Sequence, residues 1–450
     1  MLRSAFFAML AGAVLLPAAE YQVGVATAVI TPHEPIYLSG YGGRDHPSEG
    51  VIMDLKAKAL VIRDKGGSRV AIVTMDLIGI PRGLSDMVAA RVEKQYGIPR
   101  SHLVLNASHT HTGPLLAGNL ETMFELSPQQ RQVVDEYSRN LADTLVNIVG
   151  AAAGKLEPAN LWFGNGTADF AINRREPTPE GVKIGLNPAG PTDHDVPVLK
   201  ITGADGKLRV VLFGYACHNT TLTALFYKLS GDYAGFAQQY VEKAQPNTVA
   251  MFMELCGGDQ NPNPRSKLEY AEQHGKELGT EVVRVAGTKL QRVSGPIRAA
   301  FRITDLAFAH HTRSTFEERL NDKNVYRVRN ARNMLKAYDE NRPVRSYPYP
   351  VQALSFGKDL TMVALGGEVV VDYSLRVKKE YGAKGLIVAG YSNDVMSYIP
   401  SKRILDEGGY EADDSMVYYG QPGRYRDDVE ERIFESLADV LKRVGRAPAR

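Results

Sequence analysis

The sequence predicts an α/β fold, on three observations. Apolar runs of strand length alternate with segments of helical spacing along the chain. No low-complexity linker and no internal repeat interrupts them. The 450 residues suit one large domain, or two smaller ones, with an ample core, and the absence of a linker favours one. The formal net charge is only +2, and no Lys/Arg-rich run is interleaved with aromatics, so nothing argues for a nucleic-acid partner.

In chain order, Arg3, the apolar run 5–16 and the small residues Pro17-Ala18-Ala19 have the pattern of an export signal. Residues 1–19 are therefore expected to be removed, leaving residues 20–450 as one periplasmic or secreted domain. The apolar run is too short to span a membrane and no stop-transfer segment follows it. Residues 70–76 are a β-branched apolar run and predict a buried strand. Residues 85–96 have helical spacing, with Met87, Val88, Val92 and Tyr96 on one side, and 103–105 return to strand.

Ser127 can cap a helix that has Pro128 at its first position, with a stripe of Val133, Tyr137, Leu141, Leu145 and Ile148. Residues 178–197, rich in Gly, Pro, Asn and Asp, read as a long ordered loop, and loops of that length are often functional. Strands are expected at 210–215, 249–255, 360–365 and 386–390. Helices are expected at 316–338, 369–381 and 429–444. Cys217 and Cys256 can pair in an exported protein, or be two small buried residues.

Four of these strands run directly into polar, metal-competent loops. Residues 103–105 lead to His109 and His111, 210–215 to His218, 249–255 to Asp259 and Asn261, and 360–365 to Glu368. Ligands of α/β sheets bind at the carboxyl ends of strands. A His, a His and a Glu delivered there make a natural zinc set, since catalytic zinc takes about three protein ligands. In an extended segment His109 and His111 point to opposite sides. One binds a metal while the other faces the adjacent space only if the chain bends. Each residue also has an ordinary reading: His218 as a core histidine, Glu368 as a helix-dipole partner, Asp232 as a helix cap. Four coincidences at strand ends are less economical than one site.

These residues carry a resemblance. Residues 108–114 (Ser-His-Thr-His-Thr-Gly-Pro), Tyr215-Ala216-Cys217-His218, Ser230-Gly231-Asp232-Tyr233, Gly258-Asp259 with Pro262-Asn263, Gly367-Glu368 and Ser397-Tyr398-Ile399 resemble the catalytic domain of the neutral, non-lysosomal ceramidase family. Gly40-Tyr41 and residues 54–59 resemble its N-terminal segment. The resemblance implies layered mixed β-sheets flanked by helices, with a zinc site at the carboxyl ends of strands. It implies zinc (Zn2+) held by His109, His218, Glu368 and Tyr398, with Tyr391 close enough in sequence to compete for the last place. It brings Arg174 to the substrate carbonyl, with Arg175 adjacent. Two departures stand out. Asn261 occupies the place of a serine credited with catalysis in the family, and the immunoglobulin-like domain of larger members is not expected here.

The function that follows is hydrolysis of an N-acyl amide, ceramide or a ceramide-like lipid, by metal-activated water. Arg174 and Tyr398 would stabilise the oxyanion, and His111 would shuttle protons. Asn261 would donate to the oxyanion, and Asp232 or Asp259 would orient a histidine. The rival readings are a zinc hydrolase on a non-lipid amide or ester, a zinc-binding relative without turnover, and, more weakly, a cysteine nucleophile. The expected partner is a lipid or small-molecule amide, with peripheral membrane contact and no transmembrane segment. The oligomeric state stays open.

Overall fold

The computed structural model describes residues 19–449, so residues 1–18 of the expected export signal lie outside the described residues. Two β-sheets pack face to face and helices cover both outer faces. The larger sheet has nine strands. Its main path runs Val249–Glu254, Leu208–Tyr215, Asp195–Gly203, Glu157–Thr167, Tyr21–Val29, Lys56–Asp64, Arg69–Met75 and Leu103–Ala107. The smaller has four strands, Ile297–Ala307, Ser346–Phe356, Leu360–Leu365 and Leu386–Ala389. Parallel and antiparallel pairs occur in both, so the sheets are mixed.

Strand periodicity makes the layers. In Lys56–Asp64, Ala57, Ala59 and Val61 face a core shared with helices Arg82–Tyr96 and Pro128–Ala153. Leu60 and Ile62 face the second sheet, where they meet a core that includes Leu354, Phe356 and Met362. Helices Asp232–Ala244 and Leu268–Ala286 cover the rest of the larger sheet's outer face. Helices Val371–Tyr381 and Val429–Val444 cover the smaller sheet. Strands buried on both faces read as continuous apolar runs, which is why 70–76 and 360–365 are legible in the sequence.

Several expectations need correction. The first helix begins at Arg82, and its buried stripe is Leu84, Val88, Ala89 and Val92. Met87 is 49% exposed, because adjacent helical positions lie about 100° apart and cannot share a face. The single helix expected at 316–338 is two, Arg313–Arg319 and Val325–Asp339. Asn324 breaks it by capping the second, accepting from Tyr326 N at 2.9 Å. The expected loop at 178–197 is mostly paired. Ala171–Thr178 and Gly181–Asn187 form a hairpin, and a strand of the larger sheet starts at Asp195. Gly181–Asn187 has no buried face, so no alternation marks it.

Ser346–Phe356 contains two prolines, which sequence rules disfavour in a strand. It pairs with Leu360–Leu365 only from Val351 onward, so Pro348 and Pro350 sit where the strand has one neighbour. Ser127 caps its helix as expected, in a reciprocal capping box with Gln130. Cys217 and Cys256 are free and buried. No helix among the described residues is long and apolar enough to cross a membrane.

Candidate metal centre

The site forms where the two edges of the larger sheet are drawn together. Glu254 N, on one edge strand, donates to Asn106 Oδ1 on the other at 2.9 Å, and Asn106 Nδ2 donates back to Glu254 O at 3.1 Å. Asn106 Nδ2 also donates to Gly390 O at 2.9 Å, just beyond the last strand of the smaller sheet. One buried amide thus ties together the carboxyl ends of three strands, and the loops that follow share one volume.

His109 leaves its strand in the left-handed region, at φ 62°. A non-glycine residue in that region is uncommon and is held there by its surroundings. The turn cancels the alternation expected of an extended segment. His109 and His111 converge, with their Nε2 atoms 3.1 Å apart. Gly40 allows this: its φ is +96°, and a Cβ there would lie 2.3 Å from His111 Nδ1. His218 arrives from the next loop, and the donor nitrogens of His109, His111 and His218 all lie within 4.8 Å of one another.

Glu368 lies not in a helix but in the two-residue strand Glu368–Val369, which pairs in parallel with Tyr398–Ile399. Residue 368 is directly opposite residue 398, so the short ladder brings the tyrosine to the carboxylate. Gly367 permits the approach, because at φ +74° its absent Cβ would press on Ile399 at 2.6 Å. Glu368 Oε2 lies 2.9 Å from both His109 Nε2 and His218 Nε2. Tyr398 Oη lies 3.0 Å from His218 Nε2.

The protonation pattern follows from the outer hydrogen bonds. His109 Nδ1 is 2.6 Å from Ile78 O, and His218 Nδ1 is 2.8 Å from Gly257 O. A carbonyl only accepts, so each Nδ1 carries a proton, and in the neutral imidazole Nε2 then presents the lone pair. Burial pushes His218 down to about 4, helped by the neighbouring Arg174 charge, so its imidazole is neutral at ordinary pH. Burial alone would raise Glu368, and what holds it well below the usual carboxylate range is positive charge at the His109 and His218 positions. The Glu368 Oε2 atom is buried with no hydrogen-bond donor among the described residues.

Two imidazole nitrogens, each 2.9 Å from one carboxylate oxygen, form a donor set that could hold a metal ion. Tetrahedral zinc ligands at about 2.0–2.1 Å stand about 3.3 Å apart, so small outward movements suffice. The donor set, with Tyr398 Oη beside it, therefore fits a zinc-like ion. His111 Nε2 is close enough to join it.

Arg174 is buried beside this set. It donates through Nη2 to Tyr398 Oη at 2.9 Å, through Nη1 to Asn261 Oδ1 at 3.3 Å and through Nε to Glu411 Oε1 at 2.8 Å. Burial opposes its charge, but Tyr398 and Glu411 hold it well above its ordinary value. Arg175 donates to Glu407 and shares Glu411 with Arg174. The Tyr391 ring packs on His109 at 4.5 Å, and its hydroxyl meets no partner among the described residues.

The aspartates do not orient the histidines. Asp232 accepts from Leu222 N and Tyr233 N, and Asp259 accepts from Val371 N and Asn173 Nδ2. Backbone carbonyls orient the imidazoles instead. Burial pushes the thiols of Cys217 and Cys256 well up, which removes the basis for a cysteine nucleophile.

A model of the neutral/alkaline non-lysosomal ceramidase N-terminal region matches residues 21–304. The chain belongs to this ceramidase family. The neutral ceramidase of Pseudomonas aeruginosa is 27% identical over 338 residues, covering 68% of this chain and 49% of that relative. Neutral ceramidase 1 of Arabidopsis thaliana is 23% identical over 316 residues, covering 66% of this chain and 40% of that one. The chain thus spans about half or less of the length of these curated relatives. The crystal structure of the P. aeruginosa neutral ceramidase shares the fold, with a TM-score of 0.73 at 20% identity over 96% of this chain and 76% of that one. The layered sheets expected of a ceramidase-family chain are the fold observed.

Sequence reasoning missed Glu254, Glu411 and Tyr419. Glu254 is a buried carboxyl that accepts from Cys217 N at 3.0 Å, and burial pushes it well up toward its neutral form. Glu411 pairs with both arginines. Tyr419 donates to Glu368 Oε1. None stands in a motif, and only the fold brings them near.

Proposed function

We propose that this ceramidase-family chain is a zinc-dependent amidohydrolase acting on ceramide or a ceramide-like N-acyl amide. One observation carries the reading: His109 Nε2, His218 Nε2 and Glu368 Oε2 converge as buried lone-pair donors, with the Nδ1 protons already committed elsewhere. His109, His218 and Glu368 would hold the ion, with Tyr398 as fourth ligand. A zinc ion there supplies Lewis acidity, lowering the pKa of water to about 7 and polarising a carbonyl.

The chain's own residues divide the remaining work. Arg174, fixed by Glu411, presents a permanent charge beside Tyr398 to the carbonyl oxygen that becomes negative. His111 takes the proton from the attacking water and returns it to the leaving amine. Burial and the neighbouring imidazoles hold it well below its ordinary value, so it is a neutral acceptor at working pH. Asn261 accepts from Arg174 and Thr220 through Oδ1, which leaves its NH2 to donate to the substrate oxygen. The same reading takes residues 20–450 as the hydrolase domain and the enzyme as exported, meeting its lipid substrate at a membrane surface.

The test is activity on a panel of ceramides, short N-acyl amines and esters, with and without a chelator. Hydrolysis of ceramides that the chelator abolishes is the expected result. Turnover confined to esters or short amides would redirect the substrate class. No turnover by a zinc-loaded protein would favour a non-catalytic relative, the reading that Asn261 in place of serine suggests.

Asn261→Ala is expected to be slowed about 10²-fold rather than silenced, since one lost oxyanion donor costs about 3 kcal/mol. Mass spectrometry during turnover is expected to show no acyl adduct. A trapped acyl-enzyme would overturn the direct-water route.

A further inference from the structure

We propose that Tyr419 is a positioning residue of the metal centre: its hydroxyl holds Glu368 by Oε1, so that Oε2 alone faces the histidine nitrogens. The proposal rests on the metal reading above and concerns this chain's own residues toward that ion.

The two oxygens of Glu368 have different surroundings. Oε2 faces His109 and His218 at 2.9 Å. Oε1 accepts from the Tyr419 hydroxyl, and no other donor to it is present among the described residues. A buried carboxylate oxygen without a donor costs about 1–3 kcal/mol or more. An O–H···O⁻ bond to it is also among the stronger kinds. With Oε1 held, turning the carboxylate to offer both oxygens to one ion would cost the bond to Tyr419. The carboxylate is held as a one-oxygen ligand, which leaves room for Tyr398 and for substrate.

Tyr419 is itself held. It follows the turn Asp414–Val417, and the next residue, Gly420, has φ +68°. Gln421 Nε2 donates to Met396 O at 3.0 Å, Asn330 Nδ2 donates to Gln421 O at 2.9 Å, and Arg319 Nη1 donates to Pro422 O at 3.1 Å. These bonds pin the loop to the segment before Tyr398 and to the two helices Arg313–Arg319 and Val325–Asp339. The Tyr419 ring meets Tyr398 edge-on, with centroids 6.5 Å apart. Its other side is partly exposed and lines two clefts, one with Asn119 and Asp394, the other with Arg329 and Arg332. Tyr419 is thus the partition between the carboxylate and open surface, and its hydroxyl is turned inward.

The experiment is zinc affinity of purified apo-protein by chelator competition, for the wild type, Tyr419→Phe, Tyr419→Leu and the neighbouring control Tyr418→Phe. Tyr419→Phe is expected to weaken zinc binding about 10–100-fold, the range found when a ligand's hydrogen-bond partner is removed. Tyr419→Leu is expected to match it and Tyr418→Phe to equal the wild type. In turnover, Tyr419→Phe is expected to lower kcat with KM unchanged. Tyr419→Phe affinity within twofold of the wild type overturns the proposal. So does a loss seen in Tyr419→Leu alone, which would assign the ring a packing role. A wild type with no zinc affinity would instead overturn the metal reading on which this one stands.

Discussion

His109→Ala and His218→Ala are each expected to lose the bound zinc and, with it, hydrolysis. Removing either imidazole leaves Glu368 facing one nitrogen, and the affinity loss should exceed the ~10–100-fold typical when only a ligand's hydrogen-bond partner is changed. The measurement is metal content after gel filtration, together with chelator competition. Each variant also removes a buried polar contact, so the fold must be checked by circular dichroism. His109 adds a second difficulty, because φ is 62° there and alanine tolerates that region poorly. His109→Asn is the better partner variant, since asparagine accepts the left-handed region and offers no imidazole. Full zinc retention in both His109→Asn and His218→Ala would sink the ligand assignment.

His111→Ala is expected to keep zinc and lose about 10²-fold or more in kcat, the scale of a general acid–base group. The structure makes this a sharp test. The turn at His109 puts the two Nε2 atoms 3.1 Å apart, so His111 is near enough to be a third nitrogen ligand. What separates the roles is the outer hydrogen bond. His109 and His218 each commit Nδ1 to a carbonyl, whereas His111 Nδ1 is buried with no partner among the described residues. A ligand histidine is normally anchored in that way, and a proton carrier needs its tautomer free to change. Metal analysis beside the rate decides it. Zinc lost together with activity would make His111 a ligand.

Legibility in the sequence followed burial. The runs 70–76 and 360–365 are readable as strands because both their faces are covered. Gly181–Asn187 is not readable, because neither face is. Lys56–Asp64 carries Lys58 in its middle, which disguises a central strand. The charge is tolerated because Lys58 Nζ donates to Glu242 Oε1 at 2.8 Å and to Ala250 O at 2.5 Å. The closing helix Val429–Val444 has a clean amphipathic stripe and falls where the spacing predicts. The break at Asn324 depends on a cap, which periodicity does not weigh.

The sequence by itself determined the chemistry on offer. Apolar strands ending in His109, His218 and Glu368 name the donor types, and they come early in loops where side chains are free to face a ligand. Which of several equivalent residues takes each place was decided only by tertiary structure. Tyr398 stands at Glu368 because a two-residue parallel ladder pairs them, while Tyr391 turns its ring onto His109. Arg174 reaches Tyr398 while its neighbour Arg175 reaches Glu407, although both share Glu411, and the register of their strand is irregular at this point. Orientation by carbonyls rather than aspartates, and the hold of Tyr419 on Glu368, depend on segments far apart in sequence. Local pattern records what a residue can do, whereas distance between remote residues is set by packing, and packing leaves no periodic trace.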